Sequence, residues 1–175
     1  MSRIKMQNVR IRFPSLFSTA SFGGEDTGKY AATFILEKKE HAGIVNEIEA
    51  AMNELTKEKF KGKRPPADKL CIKDGDDTER PEFEGAFTVK ASTKKRPLVL
   101  DREKHRLSED DGTIYAGCYV NAIITLWAQD NSYGKRINAE LDGVQFCKNG
   151  EPLGAGGIDV DEFDAFASED EDLLF

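Results

Sequence analysis

Cysteine, histidine and tryptophan are scarce in this chain of 175 residues, numbering three, two and one. The three thiols (Cys71, Cys118, Cys147) are odd in number and widely spaced, with no C-x-x-C pair. They form no disulfide framework and suit a reducing compartment. His41 and His105 are too few companions for a structural zinc site. No apolar run approaches the roughly 20 residues that span a bilayer. The N-terminal MSRIKMQNVRIRF alternates charged and apolar residues and lacks the apolar stretch of a signal peptide. Enzyme signatures are missing too: there is no G-x-x-x-x-G-K-[ST], no G-x-S-x-G and no H-E-x-x-H. Asp74-Gly75-Asp76-Asp77 offers carboxylates to a divalent ion but lacks the other ligands of a calcium loop, and it fits a turn better. No cofactor, no metal, no catalytic residue and no membrane contact are expected.

Charge is abundant but segregated. Of the 32 acidic residues, eight fall between Asp159 and Phe175, a segment with no Lys or Arg. The other 24 acids face 25 bases, so residues 1–158 carry +1 while the whole chain carries −7. A block of like charge repels itself and stays disordered. The expected organisation is one domain over residues 1–153, followed by a glycine hinge and acidic tail over residues 154–175. Asp170, Glu171 and Asp172 precede Leu173, Leu174 and Phe175, an apolar hook suited to a basic, greasy pocket on a partner protein. A near-neutral body tethered to a polyanion is the charge layout of a nucleic-acid binder that carries its own competitor.

The chain is 39% apolar, enough for its body to bury a core. Alternation predicts a first strand over Arg3–Phe13, with a phase slip at Gln7-Asn8 that marks a bulge, and with Pro14 ending it. A second strand follows at Lys29–Leu36. The period then lengthens: Ile44, Ile48, Ala51, Met52 and Leu55 fall on one helix face, without a clear N-cap. Gly62 and Pro65-Pro66 stop that helix. Residues 62–83 are a polar excursion with a short strand near Leu70–Ile72. Further strands are expected at Phe83–Ser92, at Cys118–Ala128 and, across an Asp130–Gly134 turn, at Lys135–Phe146 with a kink at Gly143. Residues 93–114 read as a charged connection. Alternating strands favour an antiparallel sheet with one wet face. The fold class is mainly β: an OB-like antiparallel barrel with one inserted helix and a disordered acidic tail, a β-sandwich being the rival.

A nucleic-acid binder needs cations for phosphates, and one that takes single strands also needs aromatic faces for unstacked bases. Three basic clusters qualify. They are Arg3, Lys5, Arg10 and Arg12; Lys57 to Arg64 at the helix end; and Lys90, Lys94, Lys95 and Arg96 with Arg102, Lys104 and Arg106. The third is preferred, because Lys90 sits on the polar face of a strand whose loop concentrates charge. The helix-end lysines also complement the helix dipole, which weakens that cluster. Tyr30, Tyr119, Trp127 and Tyr133 are the stacking candidates, the last beside Lys135 and Arg136. On the Cys118–Ala128 strand, Val120, Ala122, Ile124 and Leu126 form the core face. Tyr119 and Trp127 lie on the mixed one. Phe13, Phe34, Phe87 and Phe146 are assigned to the core.

The stretches VRIRFPSLF (9–17), FEGAFTVKASTKKRPLVLD (83–101), YAGCYVNAIITLWAQD (115–130) and LDGVQFCKNGEPLG (141–154), with the acidic tail, resemble the small single-stranded-DNA-binding proteins of tailed bacteriophages. The resemblance implies an OB fold and sequence-tolerant binding of single-stranded DNA. It also implies tail-mediated contact with replication or recombination proteins, in the cytoplasm of the infected bacterial host. The tail lacks the Pro that precedes the last Phe in bacterial counterparts. Self-association is left open as a homo-oligomer. Two alternatives remain: a metal-dependent nuclease using Asp74, Asp76, Asp77 or Glu79, and an acidic protein that mimics DNA.

Overall fold

The computed structural model describes residues 2–153, so the expected hinge and tail over 154–175 lie outside the described residues. The strands are β1 (Ser2–Ser15), β2 (Ser21–Phe22), β3 (Glu25–Asp26), β4 (Tyr30–Glu37), β5 (Ile72–Asp74), β6 (Ala86–Thr93), β7 (Leu98–Leu100), β8 (Tyr119–Asn131) and β9 (Gly134–Lys148). One α-helix, α1 (Ala42–Lys59), lies between β4 and β5 among the described residues. β1 pairs antiparallel with β4 and β8, β4 with β6, and β8 with β9. A parallel contact of Ala91 with Ala139 and Ser92 with Glu140 joins β6 to β9 and closes the circuit. The result is a five-stranded OB-like barrel in one continuous sheet, not a sandwich. β2 and β3 form a small hairpin of their own in the loop after β1.

The alternation of β8 fills the interior. Val120, Ala122, Ile124 and Leu126 are buried, while Tyr119, Asn121, Ile123, Thr125 and Trp127 are half-buried on the outer wall. The helix contributes Ile48, Met52 and Leu55 to the same core. Its N-cap position, His41, makes no capping bond. The ring is occupied elsewhere: Nδ1 accepts from the Glu37 amide at 3.0 Å, and Nε2 lies 3.0 Å from the Asn8 carbonyl. With Nδ1 accepting, Nε2 carries the hydrogen and donates to that carbonyl. Asn8 adopts φ +55 at the expected bulge, where the pairing with β8 shifts between Met6 and Val9. A further register shift at Ile123/Ile124 sits opposite Gly143, at the expected kink.

Several expectations need correction. Pro14 does not end β1, because a second register shift between Arg12 and Ser15 lets the strand bend and continue. The short strand expected at Leu70–Ile72 is displaced to Ile72–Asp74, and Leu70 makes a lone bridge to Ile137. The connection over 93–114 contains β7, which lies parallel on β9 from Leu98↔Gly143 to Leu100↔Gln145. Phe13 is not in the core: it is 38% exposed. Phe34 is fully buried, and Phe87 and Phe146 pack against the core from its margin.

Candidate nucleic-acid interface

The outer wall of β1, β4 and β6 is divided. One half is roofed by residues 80–86 and 150–153, which bury Ile35, Phe83 and Ala86 with Leu153 packed alongside. Arginines hold this roof down. Arg12 donates Nε to Glu82 at 2.9 Å and its terminal nitrogen to the Leu153 carbonyl. Arg10 donates to the carbonyls of Gly117 (3.0 Å) and Glu151. Both guanidiniums are therefore engaged in structure, although the sequence placed them in a basic cluster.

The other half is an open groove of about 1100 Å³. Ala31, Thr33, Lys90 and Ser92 line it from β4 and β6; Lys29 and the β2–β3 hairpin form one rim. Phe13, Pro14, Arg80, Ala116 and Pro152 line the remainder. Phe13 has φ +52, which turns its ring away from the core. Two guanidiniums lie over the ring, Arg12 at 4.3 Å and Arg80 at 4.7 Å from its centroid. Such cation–π contacts hold an aromatic side chain in place with part of its surface open. Neither Lys29 nor Lys90 forms an ion pair with a described carboxylate. The groove thus joins a partly exposed aromatic ring, ammonium groups with no ion-pair partner among the described residues, and small polar side chains, the chemistry that stacks bases and tracks phosphates.

Of the residues singled out from sequence for DNA contact, Lys90 lines this groove, as does Arg12, whose guanidinium is engaged with Glu82 and Leu153. Lys94, Lys95 and Arg96 are exposed in the loop after β6, with Arg96 lying 5.8 Å from the Phe17 ring. Tyr30 is half-buried at the same end of the sheet, paired with Thr93. Arg102 and Lys104 are exposed in the turn after β7. Tyr119 belongs to the roofed half. Lys148 lies 4.9 Å from its ring, and a Cβ at Gly150 would stand 2.8 Å from that ring. Trp127 is half-buried opposite Asn138. Tyr133 is 82% exposed at the tip of the β8–β9 hairpin, with Lys135 exposed and Arg136 half-buried behind it. Asp170, Glu171, Asp172, Leu173, Leu174 and Phe175 lie outside the described residues. Sequence reasoning missed Phe13, Lys29 and Arg80. Phe13 carried a misleading signal, its apolar phase with Val9 and Ile11; Arg80 carried none.

The acidic turn is occupied by a protein cation. The Lys38 amine lies 2.8 Å from both Asp74 and Asp76, and Asp74 accepts from the Asp76 amide. Among the described residues no group of three or more His, Cys, Asp or Glu is placed to hold a metal. Burial pushes the Cys71 thiol up to about 12, so it stays protonated at neutral pH. Among the described residues no helix is long and apolar enough to cross a membrane.

A family model described as the Enterobacter phage Enc34 ssDNA-binding protein matches residues 2–174. The chain belongs to that family. Putative protein p50 of Acyrthosiphon pisum secondary endosymbiont phage 1 is 37% identical over 183 aligned positions, covering 98% of each chain. The single-stranded-DNA-binding protein from bacteriophage Enc34, solved in complex with ssDNA, superposes with a TM-score of 0.79 at 36% identity. The match covers 87% of this chain and 89% of that one. The T7 single-stranded-DNA-binding protein gp2.5 shares the fold alone, with a TM-score of 0.55 at 14% identity, over 95% of this chain and 99% of that one. The expected fold and the resemblance to phage single-stranded-DNA-binding proteins both hold. The family is one of binding proteins and not of enzymes, so the nuclease alternative falls away.

Proposed function

We propose that this protein binds single-stranded DNA, with little sequence preference, in the groove over β1, β4 and β6. The observation that carries this is Phe13, partly exposed beside two guanidiniums and sharing the groove with Lys29 and Lys90. Stacking tolerates any base, because every base has a π-face. A relative of 36% identity has been solved with ssDNA bound. The β8–β9 hairpin, with Tyr133, Lys135 and Arg136, and the loop carrying Lys94, Lys95 and Arg96 extend the cationic surface beyond the groove. Coating of exposed strands serves phage DNA replication, recombination and repair in the cytoplasm of the infected host.

Residues 154–175 act as a separate unit in this proposal. Pro152 lines the groove, so the chain leaves the described domain at the groove's rim. The eight carboxylates compete with phosphate there at high effective concentration. Displaced by DNA, Leu173, Leu174 and Phe175 recruit replication or recombination proteins.

Fluorescence anisotropy of labelled oligo-dT and of labelled duplex, titrated with the protein at two salt concentrations, tests the reading. Tighter binding to the single strand, weakening as salt rises, is expected. Equal affinity for duplex at moderate salt would overturn it, and no binding to oligo-dT would favour the DNA mimic. Deleting residues 159–175 should strengthen oligo-dT binding, most clearly at low salt where screening is weak. Weaker binding by a truncated protein that melts normally would contradict the role given to the tail.

A further inference from the structure

We propose that the loop closing α1, from Lys59 to Lys63, is a second phosphate-binding surface that takes the single strand as it leaves the groove toward the β8–β9 hairpin. The proposal rests on the groove being the DNA site.

The segment Lys57–Arg64 reads KEKFKGKR, five cations to one acid. Its arginine and its lysines do different work. Arg64 is bound back to the helix, 3.0 Å from Glu49 and hydrogen-bonded to Asn53. Lys59, Lys61 and Lys63 are exposed and form no ion pair with a described carboxylate. The ordinary explanation is complementation of the helix dipole. It covers Lys59, in the last turn, but Lys61 and Lys63 lie past the helix end. The end is also closed by the backbone itself, because Thr56 carbonyl accepts from the amides of Phe60 (3.0 Å) and Gly62 (3.1 Å).

Lys61 has φ +53, a left-handed conformation that favours glycine or asparagine. A lysine held there, directly before Gly62 at φ +83, keeps its charge at the apex of the loop against local preference. Phe60 anchors the loop. Its ring is buried, and the Lys135 amine of the hairpin lies 5.9 Å from it. The helix-end cations and the hairpin cations therefore form one patch, with the exposed Tyr133 ring at the hairpin tip.

That patch is one short step from the groove. The Lys90 amide donates to the Cys71 carbonyl at 3.0 Å, and the preceding residue, Leu70, bridges Ile137 of β9. A strand passing Lys90 crosses this junction onto β9 and meets Lys135. An acidic protein segment is the other polyanion that could dock here. An aromatic ring beside the lysines favours nucleic acid, which offers bases to stack.

The test compares the full chain with a variant carrying Lys59→Gln, Lys61→Gly and Lys63→Gln, against dT oligomers of about 6 and about 20 nucleotides. Melting curves check the fold, which Lys61→Gly should not harm. The short oligomer should bind both proteins equally. For the long one, loss of three contacts should cut the salt slope by roughly 2 and weaken affinity by up to about 100-fold at 0.1 M salt. Unchanged binding of the long oligomer overturns the proposal, and so does equal weakening at both lengths. Tighter binding of the long oligomer also overturns it and points to an acidic protein segment. Lys90→Gln is the control for the groove: if it leaves the short oligomer unaffected, the groove assignment fails, whatever the loop variant does.

Discussion

Arg12 donates to Glu82 at 2.9 Å on the outer wall of the barrel, and both side chains are almost enclosed, at 6% and 13% exposure. The same guanidinium covers Phe13 at 4.3 Å. This pair marks the border between the roofed half of the wall and the open groove. Glu82→Ala would leave the Arg12 charge buried and unpaired, which costs about 3 kcal/mol. Urea melts should show that loss, and oligo-dT affinity measured well below the midpoint should change less than it does in groove variants.

Phe13 and the groove lysines should separate stacking from charge. Phe13→Ala is expected to weaken oligo-dT binding by roughly 1–3 kcal/mol with an unchanged salt slope. Its 38% exposure means that melting should shift little. Replacing Lys29 and Lys90 together with Ala should cut the salt slope by about 1.4, two single-strand contacts' worth. A collapse of stability in the Phe13 variant would return that residue to the core.

The Lys38 clasp gives stability a defined pH range. Asp74 is held below its ordinary value of 3.8 by Lys38 first and by the Asp76 amide second. Asp76 is lowered by the Gly85 amide first and by Lys38 second. Carboxylates depressed by folding stabilise fully above their unfolded value, and this is lost as pH falls through the folded one. Lys38 is raised above 10.5 by Asp74 first and then by Asp76, so its contribution is lost as pH rises through the folded value. The difference in melting temperature between wild type and Lys38→Met should therefore hold steady from about pH 5 to about pH 10. It should narrow on either side, and a difference that grows below pH 4 would contradict the clasp.

Gly75 lets the roof lie close. A Cβ there would stand 2.1 Å from the Phe83 carbonyl oxygen and 2.6 Å from that of Ala86. Gly75→Ala must push backbone aside, and overpacking of this kind costs about 1–3 kcal/mol or more. Thermal melts should show the loss, while Gly43→Ala, with nothing within 4 Å of the added carbon, serves as the control at an open site.

The interior was legible wherever the period ran unbroken. Over β8 the two-residue alternation separates Val120, Ala122, Ile124 and Leu126 from the outer face, and the structure buries that set. The helical spacing of Ile48, Met52 and Leu55 is equally local, and those side chains are in the core. Burying one face requires only that each residue keep its phase. Even the Asn8 bulge was visible, as a slip in that phase.

The groove was not legible, because its parts meet only through pairing between distant segments. The shift between Arg12 and Ser15 arises where β1 changes its register with β4, and it reverses the expected roles of two neighbours: Arg12 turns in to Glu82 and Phe13 turns out. β7 becomes a strand because β9 offers it an edge at Gly143–Gln145, a condition that Leu98–Leu100 alone cannot express. Lys29, Arg80 and Lys90 are far apart in sequence and converge when the hairpin loop and the roof close on β4 and β6. Composition and alternation determined that this chain would be a β-rich body with a polyanionic extension, because solvation and period act residue by residue. Tertiary structure decided which cations stay free for phosphate and which are spent holding the roof, because that choice depends on the carboxylates and carbonyls that folding brings within reach.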